Sequence, residues 1–159
     1  MATKTIAILA ESWKISPELL KVLDKPKLRL LFVAKDEDNK KGLIEVLKPL
    51  ELNAEIDFTS CEKEGCWEAD RIVVLKPEQP SVELIEKIKE VATQKPVWVI
   101  SEDPEATKQV DLKQLLPNSR VIEIGLKEKT QEISLCGKDA EAKSEIRQFF
   151  ENSDYQIKE

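Results

Sequence analysis

The chain has 159 residues, of which 41% are hydrophobic and 35% charged, and its formal net charge is −6. A length near ~150 residues predicts one domain over residues 1–159, and such a domain buries about 68–70% of its unfolded surface without metal or disulfide. Thirty-one acidic against twenty-five basic residues argue against a nucleic-acid surface, and no apolar run approaches the ~18 residues of a membrane span.

The first apolar run, Thr5-Ile6-Ala7-Ile8-Leu9-Ala10, is continuous, as for a strand buried on both faces. Ser16-Pro17-Glu18 then gives an N-cap, a first-turn proline and a first-turn acid, so a helix starts at Pro17. It is short, because Lys25-Pro26 closes it. Leu28–Ala34 reads as a second strand, followed by Leu43, Val46, Leu47 and Leu50 at helical spacing. Ala54–Phe58 is a shorter, alternating third strand, Cys61–Asp70 reads as a polar loop, and Arg71–Leu75 is a fourth strand ended by Lys76-Pro77.

Ser81 caps an amphipathic helix carrying Leu84, Ile85, Ile88, Val91 and Ala92. Pro96–Ser101 is a fifth strand, Asp103-Pro104-Glu105 opens a helix reaching Leu116, and Arg120–Ile124 is a sixth strand. Glu132–Cys136 follows as a short strand, Asp139 caps a last helix with Ala142, Ile146, Phe149 and Phe150, and Tyr155-Gln156-Ile157 adds an edge strand. Strands alternating with helices predict an α/β fold: a doubly wound, mostly parallel Rossmann-like sheet with helices on both faces.

Histidine is absent, which excludes Ser-His-Asp and Cys-His nucleophilic catalysis and argues against a transition-metal site. Cys61, Cys66 and Cys136 lack C-x-x-C spacing and read as reduced, structural thiols. No catalytic residue and no metal ligand is assigned. Hydride transfer survives, because a cofactor can carry that chemistry.

An open parallel sheet binds ligands beyond its strand ends where the strand order reverses, which here means residues 10–16 and 76–80. The dinucleotide fingerprint G-x-G-x-x-G would place its glycines at Ala10, Ser12 and Ile15, yet the first glycine of the chain is Gly42. Glu11 adds a negative charge there, and Trp13 either packs into the crevice or stacks on a ligand. A micromolar dinucleotide site is worth about 8 kcal/mol. Losing two charge-assisted phosphate bonds at ~1.5–3 kcal/mol each takes it toward millimolar. The competing reading of this turn is an ordinary strand-to-helix connection.

Thr5–Ala10 with its helix, Ala69–Pro77, Leu116–Ile122 and above all Leu135-Cys136-Gly137-Lys138-Asp139-Ala140-Glu141-Ala142-Lys143 resemble a known family. It is that of the NADP-linked, deazaflavin-dependent oxidoreductases, related to the N-terminal domain of pyrroline-5-carboxylate reductases. The resemblance implies NADP as cofactor, held at the first turn and read at its 2′-phosphate by a Ser-Arg pair. Ala34 and Lys35 stand at that pair, and Lys76-Pro77 at the family's Val-Pro step beside the nicotinamide. The candidate cofactor-binding set is therefore Ala10, Glu11, Ser12, Trp13, Ala34, Lys35, Lys76 and Pro77.

Two functional expectations follow. The first is a degenerate, oxidoreductase-like domain without efficient hydride transfer that binds a small molecule or a protein partner. The second is an active NADP-dependent oxidoreductase with a glycine-free cofactor loop. The expected setting is cytoplasmic and soluble, with no nucleic-acid or membrane partner. Adjacent Phe149 and Phe150 cannot share one narrow inward stripe, which suggests a homodimer through the last helix and strand.

Overall fold

A computed structural model describes residues 4–10, 17–25, 27–34, 36–76, 89–91, 95–101, 120–127, 130–136, 139–151 and 153–158. Eight strands form one sheet: β1 (Lys4–Ala10), β2 (Leu28–Val33), β3 (Glu55–Thr59), β4 (Arg71–Lys76), β5 (Pro96–Ser101), β6 (Arg120–Lys127), β7 (Glu132–Cys136) and β8 (Gln156–Lys158). Their spatial order is β3-β2-β1-β4-β5-β6-β7-β8. The first six run parallel, β7 is antiparallel to β6, and β8 is parallel to β7. The doubly wound, mostly parallel sheet expected from the alternation is therefore present, the terminal edge strand included.

The two faces of the sheet divide the core as a two-sided strand requires. Ile6 and Ile8 of β1 join one cluster with Leu30, Phe32, Val73, Trp98 and Ile122. Ala7 and Leu9 join the other with Ile72, Val74, Val97 and Val99. A continuous apolar run is the only pattern that satisfies both faces at once. Trp98, a core residue by its place in a strand, is completely buried.

Four helices lie among the described residues: α1 (Pro17–Leu23), α2 (Glu37–Leu47), α3 (Glu62–Glu68) and α4 (Ala140–Phe150). α1 starts at Pro17, as the Ser-Pro-Glu signal predicts. Asp139 caps α4 by accepting the Ala142 N–H at 3.0 Å. The helices expected after Ser81 and from Asp103 to Leu116 lie outside the described residues, except that residues 89–91 form a turn. No described helix is long and apolar enough to cross a membrane.

The stretch Cys61–Asp70 departs from expectation: it contains α3 rather than only a loop. Its inward face consists of small residues, with Gly65 close to Val33 and Thr59 and Cys66 wholly buried, so no large apolar periodicity announces it. Lys95 donates to the carbonyl oxygens of Cys66 and Trp67 at 2.5 and 2.8 Å, supplying the donors that the helix end lacks. Burial lowers the Lys95 pKa. Trp67 itself faces outward, 71% exposed. Cys61 and Cys66 are free thiols.

The aromatic pair of α4 meets other rings of the same chain. Phe150 is buried with its ring 5.7 Å from that of Tyr155, while Phe149 sets its ring 5.1 Å from that of Trp98 in an edge arrangement.

Candidate functional site

β1 and β4 are neighbours, but the chain leaves β1 toward β2 and leaves β4 toward β5. The strand order reverses between them, which creates the crevice where such sheets bind ligands. Ala10 closes β1 opposite Leu75, and Lys76 closes β4 opposite Ser101. Their backbones stand at the carboxyl edge of the sheet. Glu11, Ser12, Trp13, Lys35 and Pro77 lie outside the described residues, as do the side chains of Ala10 and Lys76. Ala34 follows β2, is 5% exposed, and donates its N–H to the Thr59 carbonyl at 2.8 Å. That bond stitches the ends of β2 and β3 together, and an alanine there offers no charge to a ribose or a phosphate.

Beside this edge lies a cleft of about 470 Å³, bounded by Ala34, Asp36, Lys40, Phe58, Thr59 and Ser60. Phe58 forms its apolar wall, 6.0 Å from Phe32 between ring centroids. The Lys40 ammonium lies 5.5 Å from the Phe58 ring centre. At the mouth, Asp36 caps α2: its Oδ1 accepts the backbone N–H of Asn39 at 2.8 Å and the Asn39 side-chain amide at 3.1 Å. Glu37 and Asp38 follow in the first turn, both exposed. An acidic cap that complements its own helix dipole opposes an incoming phosphate at the same place.

None of these cleft residues except Ala34 belongs to the sequence-derived set. Asp36 was open to discovery as an N-cap three residues ahead of Asn39. Phe58 and Lys40 were not, since they meet only through the packing of α2 beside β3. Chemically the cleft offers an apolar ring, an ammonium, two carboxylates (Asp36 and Glu37) and two hydroxyls. It can hydrogen-bond a diol or amide, and among the described residues it shows no nucleophile paired with a base.

Displaced pKa values lie elsewhere. Arg29 is bonded to Asp57 at 2.6 Å, which raises the Arg29 pKa and lowers that of Asp57. Arg120 does the same with Asp139. These are ion pairs that fasten β2 to β3 and β6 to the N-cap of α4. Among the described residues no cluster of acidic and cysteine side chains fits a metal ion.

No family model matches the chain, and no curated protein matches it by sequence. Solved structures do resemble it in fold. A protein from Arthrobacter sp. FB24 described as an F420-dependent NADP reductase superposes with a TM-score of 0.65 at 12% identity, over 96% of this chain and 82% of its own. The Plasmodium falciparum pyrroline carboxylate reductase, in a structure with NADP bound, gives 0.62 at 13% identity over 99% of this chain. The (S)-3-hydroxybutyryl-CoA dehydrogenase of Ralstonia eutropha gives 0.62 at 12% identity over 98% of this chain. The present chain spans 58% of that reductase and 62% of that dehydrogenase. Strand order and these likenesses together identify the fold as the Rossmann type found in NAD- and NADP-dependent dehydrogenases and reductases.

Proposed function

We propose that the chain is a Rossmann-type binding module of oxidoreductase descent that does not carry out efficient hydride transfer. The observation that carries the reading is Asp36. Its carboxylate takes the Asn39 amide at the α2 N-terminus, and Asp36 directly follows the Ala34-Lys35 pair that replaces Ser-Arg of the resembled family. With Glu37 and Asp38 beside it, the turn opposes a 2′-phosphate. The glycine-free sequence between β1 and α1 supports the same conclusion, since Ser12 stands where the dinucleotide fingerprint has the glycine that lets backbone amides approach a pyrophosphate.

A second reading, an NADP-dependent oxidoreductase with an unusual cofactor loop, is favoured by the strand reversal between β1 and β4 and by the fold shared with an NADP-bound reductase. Calorimetric titration of the cofactor-free protein with NADPH and with NADH separates the two. The binding-module reading expects no saturable heat below millimolar ligand. Micromolar NADPH binding that Lys35→Glu abolishes overturns it and puts the oxidoreductase first.

A further inference from the structure

A second cleft, of about 340 Å³, lies between the end of α1, the end of α4 and the 153–155 turn. Its volume is at the small end of the ~300–1,000 Å³ range of ordinary ligand sites. It shares no lining residue with the cleft at Phe58. Lys21 and Lys25 reach it from just ahead of the amino end of β2, so it stands apart from the carboxyl-edge crevice.

Its walls are apolar and fixed. Val22 and Tyr155 are 4% and 7% exposed, and the Phe149 ring is held by the Trp98 indole. The rim is charged. Lys25 holds its ammonium 5.9 Å from the Phe149 ring centre, close enough for a cation–π contact. Lys21 and Lys25 line the cleft together with Asp154. Among the described residues, none of these three charges is in an ion pair. Gln131 completes the rim; its carbonyl accepts the Gln156 N–H at 2.8 Å and so ties the start of β8 to the β6–β7 turn.

Opposite charges that line one small cleft without an ion pair between them can be bridged by a ligand carrying both. We infer that this cleft binds a free amino acid with an aromatic or bulky apolar side chain. Its carboxylate meets Lys25 and Lys21, its ammonium meets Asp154, and its side chain lies on Phe149 and Tyr155. A phosphate or other dianion fits less well, because Asp154 repels it and the apolar walls go unused.

The test is calorimetry of the intact chain with L-phenylalanine and L-leucine, against 3-phenylpropionate, which lacks the ammonium, and phenethylamine, which lacks the carboxylate. The amino acids should bind saturably, and each analogue about tenfold more weakly or worse, the scale of one charge-assisted contact. Lys25→Gln and Asp154→Asn, both at the rim, should each weaken L-phenylalanine binding about tenfold. Amide shifts at Lys25 and Tyr155 would place the ligand. No saturable response to either amino acid in the millimolar range overturns the inference, and so does an analogue that binds as tightly as its parent.

Discussion

Arg120 grips Asp139 through two nitrogens, Nε at 2.5 Å and Nη2 at 3.1 Å, joining the first residue of β6 to the N-cap of α4. The same carboxylate accepts the Ala142 N–H, so one side chain serves both the ion pair and the helix start. The Arg120 bond, with help from that amide, lowers the Asp139 pKa from 3.8 to about 2. A carboxyl group with a depressed folded pKa binds protons more readily when unfolded. Its contribution to stability is therefore complete above the unfolded value and is lost as pH falls through the folded one. Urea midpoints between neutral pH and about pH 2 should decline less steeply for Asp139→Asn than for the parent. Asp139→Ala, which also removes the cap, should cost about 1 kcal/mol more at neutral pH. Parallel pH profiles for the parent and the Asn variant would refute the assignment.

Arg71 presents a different balance. Its side chain is 12% exposed, its guanidinium carbon lies 5.0 Å from the Trp98 ring centre and 5.3 Å from that of Phe149, and Glu145 meets it at 2.5 Å. Nε of Arg71 and Nε1 of Trp98 are buried without a hydrogen-bond acceptor among the described residues. Removing the only carboxylate described beside such a cation leaves a charge that water cannot easily reach. Fully buried pairs lose ~3–5 kcal/mol in that case, and with Glu145 a third exposed the expected cost of Glu145→Ala is about 2 kcal/mol. Arg71→Met removes the charge itself and keeps the volume, so it should destabilise less than Glu145→Ala in denaturant titrations. The reverse ranking would mean that the contacts of Arg71 with the two rings outweigh its ion pair.

Legibility from sequence follows how local each cause is. β1 and β4 were readable because burial on both faces demands an unbroken apolar run, and α4 because Asp139 stands ahead of Ala142 and Ile146 at helical spacing. α3 was not, since what holds it is distant: Lys95 caps it from 28 residues away, and Gly65 lets it approach β2 and β3. The crevice was readable as a place, the reversal between β1 and β4, because chain alternation implies topology. The residues of the flanking cleft were not, since Lys40 on α2 and Phe58 on β3 become neighbours only once those elements pack. Asp36 is intermediate: its residue type signals a cap, but the carboxylate's place beside the crevice edge follows from the fold.

Two glycines give opposite expectations from the same substitution. Gly42 lies inside α2, exposed, and a Cβ built there meets nothing within 4 Å. Alanine restricts the unfolded chain and suits the helix, so Gly42→Ala should stabilise by about 0.5–1 kcal/mol. Gly65 is also helical, but its Cβ would come 3.0 Å from Cγ2 of Val33 and 3.1 Å from Cγ2 of Thr59. Those methyls belong to β2 and β3, whose ends are pinned together by the Ala34–Thr59 hydrogen bond, so neither can easily retreat. Overpacking at ~1–3 kcal/mol therefore exceeds the helix gain, and Gly65→Ala should lower stability by about 1 kcal/mol. Thermal or urea unfolding of the two variants side by side checks this. If Gly65→Ala matches Gly42→Ala in sign, α3 rides farther from the sheet than its contact with Val33 implies, and the close approach is not what forms that helix.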